Sequence, residues 1–91
     1  MEIKWVLVNA VFYDGSNAYV SKFVVKADED KPFDKVSVDS ECKIANYLSG
    51  NGELLKIDIL YDVNFDNILA FKDADDAELR CAYDRFKEIY F

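Results

Sequence analysis

The sequence contains no histidine. That removes the commonest general base, the commonest metal ligand and the usual partner of a serine or cysteine nucleophile, so the familiar hydrolase constellations cannot be written here. Three glycines are too few and too scattered for a phosphate-cradling loop. The two cysteines, Cys42 and Cys81, are far apart in sequence and form no metal or redox motif; set among apolar helix positions, they read as buried free thiols. No apolar run approaches the roughly 18 residues of a membrane span. The first residues, MEIKWVLVNAVF, lack a basic leader and a small-residue cleavage site, which leads us to expect a soluble, cytoplasmic chain. Bases are also scarce: eleven against eighteen acids, a net charge of −7. Contact with nucleic-acid phosphates needs the opposite balance, so direct nucleic-acid binding is not expected and a basic protein partner is. With no singled-out carboxylate pair and little room for a substrate pocket, we expect no enzyme activity and no cofactor.

What is present is enough for one small core. The 91 residues are 52% hydrophobic, which rules against disorder and fits a single domain over 1–91. Residues 3–13, IKWVLVNAVFY, are apolar in both alternating sets, as expected of an interior strand covered on two faces or of one whose second face meets a partner. Asp14, Gly15, Ser16 and Asn17 form a turn, and residues 18–27 resume strand composition, so a hairpin is predicted. The charged stretch 28–34 contains the only proline, Pro32, and ends that hairpin. Asp39 or Ser40 then caps a short helix reaching Leu48 or Ser49, with Cys42, Ala45 and Leu48 on one face and Gly50 at its stop.

After the Asn51-Gly52 turn, residues 53–61 alternate, with Leu55, Ile57, Ile59 and Tyr61 against Lys56 and Asp58, the signature of a half-buried strand. Residues 62–67 read as a turn and Ile68 to Lys72 as a short fourth strand. The last stretch, Asp73 to Phe91, is an amphipathic helix. Leu79, Ala82, Tyr83, Phe86, Ile89 and Tyr90 line its apolar face, Asp73 caps it, and Asp75, Asp76 and Glu78 complement its macrodipole. The expected fold is therefore α+β in the order β-β-α-β-β-α. About four mainly antiparallel strands pack against two helices, both on one face or, alternatively, one on each side of the sheet.

The negative charge is unevenly placed. Residues 28–41 hold six acids and two bases, and 62–78 hold six acids and one base; elsewhere the signs nearly balance. Both blocks lead into predicted helices. With both helices on the same face and pointing the same way, the blocks would meet as one negative surface, able to imitate nucleic-acid phosphates or to fill a basic protein groove. Fourteen aromatic residues exceed what a core of this size needs, and Phe33 and Phe65 fall inside the acidic blocks, where an exposed ring is good interface material. The candidate partner-binding residues are thus Asp28, Glu29, Asp30, Phe33, Asp34, Asp62, Phe65, Asp66, Asp73, Asp75, Asp76 and Glu78. Asp62, Asn64, Asp66, Asn67, Leu69 and Asp73 also match part of a calcium-loop pattern. The match lacks the loop glycine, the terminal glutamate and the preceding helix, so a turn is the better reading and no metal site is assigned.

Size, charge and missing catalytic residues together point to a non-catalytic binding protein that inhibits or masks a basic surface, such as that of a nuclease or another nucleic-acid-binding protein. Phage anti-defence proteins, immunity proteins and antitoxins are the class in which these properties make sense. The alternative is an assembly module that self-associates, as a homodimer for example, through a sheet edge or the second face of residues 3–13; a calcium- or small-molecule-binding domain ranks behind both.

Overall fold

In the computed structural model, which describes residues 4–28 and 35–91, the chain forms an α+β domain. Its elements, in order, are β1 (Trp5–Tyr13), β2 (Ala18–Lys26), α1 (Val38–Leu48), β3 (Glu53–Val63), α2 (Phe65–Phe71) and α3 (Ala77–Tyr90). The three strands make one antiparallel sheet in the order β2-β1-β3. The doubly apolar strand is therefore the central one. Val6, Val8 and Ala10 point to one face with Phe23 and Val25 and meet Ile44 and Leu48 of α1. Leu7 points to the other with Val24 and meets Ile68 and Phe71 of α2 and Ala82 and Phe86 of α3. Each fully buried aliphatic or phenyl side chain stabilises the fold by about 1.5–3 kcal/mol, so a strand buried on both sides concentrates much of that gain in four or five residues.

The β1–β2 hairpin closes through Asp14. Its N–H donates to the Asn17 carbonyl at 3.1 Å, and its Oδ1 accepts from the N–H groups of Ser16 and Asn17 at 2.8 and 2.7 Å. Those two donors hold the carboxyl below its ordinary range, and Gly15 supplies the positive φ of 100° that L side chains avoid. At the far end of β1, Gly52 precedes β3 so closely that a Cβ there would collide with the carbonyl of Tyr13.

Several local expectations are corrected. There are three strands and three helices among the described residues, not four and two: Ile68 to Lys72 is helical, most of it in α2. A five-residue apolar run does not distinguish a strand from a buried helix turn. The decision is made just upstream, where Asn64 and Asn67 form a reciprocal capping box, at 2.8 and 3.3 Å, and Ile68 and Phe71, three apart, are buried together. The same asparagines that resembled calcium ligands thus start a helix. Among the described residues no group of three or more potential ligands is gathered.

The helix caps also move. Ser37, not Asp39 or Ser40, caps α1, its Oγ accepting from the Ser40 N–H at 3.1 Å. Asp76, not Asp73, caps α3, accepting from the Glu78 N–H at 2.9 Å. The inward stripe of α1 is Ser40, Ile44 and Leu48, which turns Cys42 and Ala45 outward. Cys81 likewise lies beside the Ala82–Phe86 stripe, so both cysteines are free and exposed rather than buried. No helix among the described residues is long and apolar enough to cross a membrane.

Candidate functional site

α1 covers one face of the sheet and α2 the other, while α3 lies along the outer edge of β2 and touches both cores. Leu79 and Tyr83 pack on the α2 side and Ile89 on the α1 side, with Tyr90 bridging the two. The condition for the two acidic blocks to meet, helices sharing one face, is therefore not met.

Of the first block, Glu29, Asp30, Phe33 and Asp34 lie outside the described residues. Asp28 follows β2 and donates its N–H to the Lys35 carbonyl at 2.8 Å. Asp39 sits in the first turn of α1 with Lys43 at 3.8 Å. In the second block, Asp62 is opposite Val6, one position from the Trp5–Lys26 pair, so it shares an end of the sheet with Asp28. That end is not purely negative, because Lys4, Lys26, Lys35 and Lys43 are there too. Lys26 lies over the rings of Trp5 and Tyr90, and Lys43 over Tyr90, at 5.6 to 5.9 Å.

Asp73, Asp75, Asp76 and Glu78 lie elsewhere. Glu78 pairs with Lys22 at 2.9 Å, four residues or about 13 Å along β2 from Lys26. Two of these acids have structural duties, Asp76 as a cap and Glu78 as an ion-pair partner. The connection they sit on is tied down by Arg80, whose Nη1 donates to the carbonyls of Ala74 and Asp75.

What remains is Asp62, Asp66, Asp73 and Asp75, all exposed and without an ion pair among the described residues. They string out along α2 from the end of β3 to the start of α3. Within that ribbon Phe65 and Leu69, four residues apart on α2, are 50% and 40% exposed. At that spacing they share one side of the helix. Leu69 was not among the expected interface residues, since as part of a strand it had no reason to pair with Phe65; the asparagine capping box was the signal that would have placed both on a helix. Beside them a cleft of about 330 Å³ opens between the starts of β1 and α2, lined by Lys4, Trp5, Asp62 and Phe65 among others. Asp28, Asp76 and Glu78 do not join this grouping. No protein-family model, curated protein or solved structure matches the chain, so this surface is read from its own chemistry.

Proposed function

We propose that this chain is a non-catalytic binding protein whose α2 surface masks a basic region of a protein partner. The partner chemistry that fits is a nuclease or another nucleic-acid-binding protein, and the role that fits is that of an anti-defence protein, immunity protein or antitoxin. The observation that carries this reading is the exposed Phe65–Leu69 pair set among four exposed carboxylates that have no ion pair among the described residues. Exposed apolar side chains supply contact area when covered, and surrounding charge steers the partner and fixes its orientation. Asp66 stands in the first turn of α2, where the helix dipole favours an acid, but Asp62, Asp73 and Asp75 lie outside that helix, and repulsion among the four favours a cationic neighbour.

The test is recovery of partners from the native host by wild type, by a variant with Asp62, Asp66, Asp73 and Asp75 all changed to Asn, and by Phe65→Ala/Leu69→Ala. Both variants should lose a partner that wild type retains, and that partner should be released by salt, because exposed charges are screened beyond about 10 Å at 0.1 M ionic strength. Equal recovery by all three proteins sinks the proposal. A second reading, self-association through a sheet edge, is favoured by a separate observation: among the described residues no hydrogen bond reaches the outer side of β3.

A further inference from the structure

We propose that two copies of this chain join through β3, antiparallel about a two-fold axis at Ile57, to make a continuous six-stranded sheet. This rests on the second reading, self-association through an edge, and is independent of the α2 surface. It begins with an unpaired ladder. β3 is eleven residues long and bonds to β1 on one side; among the described residues no hydrogen bond reaches its other side. An open row of N–H and C=O groups is a template for another strand.

The occupant is indicated by the strand's own order. Leu54-Leu55-Lys56-Ile57-Asp58-Ile59-Leu60, read backwards about Ile57, sets apolar against apolar and Lys against Asp. In that register Lys56 faces the partner's Asp58 and Asp58 faces the partner's Lys56. Ile57 faces its own copy, and the bulged Leu55 and Leu60 lie at the two ends of this stretch. Lys56 and Asp58 share the sheet face that carries α2, since they pair with Val11 and Asn9 of β1, and within one chain they are already 3.3 Å apart. Two copies would therefore alternate four charges around the axis.

Neighbouring registers fail. Centring on Lys56 or Asp58 opposes like charges, which destabilises a strand pair. Centring on Ile59 opposes Lys56 to Asp62, but the bulge at Leu60 puts these on different faces: Lys56 pairs with Val11 and Asp62 with Val6.

The bulges also set how far the ladder runs. Leu55 and Leu60 are the extra residues in β3, flanking Lys56–Ile59, which pairs regularly with β1. Bulges blunt an edge, so the strand contact is short and a second contact is needed. α1 provides one. Val38, Cys42 and Ala45, at four- and three-residue spacing, are exposed, Val38 at 67%, and line a groove of about 560 Å³ with Leu54 of β3. The two-fold brings the second copy's stripe to the same face across the seam, covering apolar surface that the monomer leaves open.

The experiment is sedimentation equilibrium over a concentration series, with circular dichroism to verify folding; Lys56 and Asp58 are 63% and 53% exposed, so exchanging their charges leaves the core intact. Wild type should be dimeric. Lys56→Asp and Asp58→Lys should each dissociate about 10- to 100-fold more readily, because two cross-strand pairs turn repulsive. Mixed in equal amounts, the two variants should pair again. In a Cys42→Ser/Cys81→Ser background, Ile57→Cys should oxidise to a covalent dimer, since directly opposed residues have Cα atoms about 4.5–5.5 Å apart. A wild type that stays monomeric at every concentration overturns edge self-association and this register together. A dimer indifferent to both charge changes, or one in which Ile57→Cys does not cross-link, overturns the register alone.

Discussion

The two edges of this sheet are finished in opposite ways. Along β2, α3 supplies partners for the outward backbone: Arg85 Nη1 donates to the Lys22 carbonyl at 3.0 Å, and the Lys26 N–H donates to the Tyr90 hydroxyl at 3.2 Å. Lys22 is held by Glu78, and the Arg85 guanidinium sits 5.3 Å from the Phe23 ring. Along β3, the devices among the described residues are two bulges and the exposed Lys56–Asp58 pair. A ladder left open must be closed by polar partners or blunted, because buried unpaired backbone groups are costly and exposed ones recruit strands. The lesson is that an amphipathic helix seals an edge through the long polar side chains at the margin of its apolar stripe. Among the described residues no helix does this for β3, whose outer ladder has no hydrogen-bond partner there.

The largest expected effect breaks the sealed edge. Phe86 is buried, with the Trp5 ring edge-on at 5.0 Å, and Phe86→Ala should cost about 3–5 kcal/mol in urea unfolding followed by circular dichroism. A loss below about 1 kcal/mol, the middle of the range for ordinary substitutions, would show that this ring does not hold α3 against the sheet.

Tyr90→Phe should act on the same edge with a smaller effect, about 1–3 kcal/mol, by leaving the Lys26 N–H without its acceptor and Ser40 Oγ without its contact at 2.8 Å. Burial raises the Tyr90 phenol above its ordinary value of 10.0, against the opposing pull of its hydrogen bonds to Ser40 and Lys26. Because the folded pKa is the higher one, the associated stability is full below pH 10.0 and is lost as pH rises through the folded value. Wild type should therefore lose stability above that pH more steeply than Tyr90→Phe; parallel alkaline curves would show that the phenol is not held neutral by the fold.

The smallest effect sharpens the contrast without a mutation. Cys42 faces the β3 side and Cys81 the β2 side, and both are exposed. With a thiol reagent, labelling of Cys42 should slow several-fold as protein concentration rises, while Cys81 reacts at a constant rate. Equal rates at all concentrations, or slowing at both sites, would count against an interface on the β3 side.

Much of the fold was legible because its signals are local. The turn at Asp14 to Asn17, the two apolar sets around Val6, Leu7 and Val8, and the stripe from Leu79 to Tyr90 each follow from a period of two or 3.6 within a dozen residues. Where two local readings fit the same letters, the expectation failed. Ile68 to Lys72 suits a strand as well as a helix, and the cap of α1 proved to be Ser37, not the expected Asp39 or Ser40. The candidate site shows the same limit: Phe65 was anticipated as an exposed ring, but Leu69 became its neighbour only once the segment was helical.

By itself, then, the sequence determined the central strand, the hairpin, the apolar face of the last helix and the excess of negative charge, because each depends on neighbours along the chain. Only the tertiary structure decided that the helices divide between two faces, that Asp73, Asp75, Asp76 and Glu78 lie away from Asp28, and that, among the described residues, β2 has partners along its outer edge while β3 has none. Those outcomes depend on strand order and on side chains as distant as Arg85 and Lys22 meeting in space, contacts for which no short-range period in the chain leaves a trace.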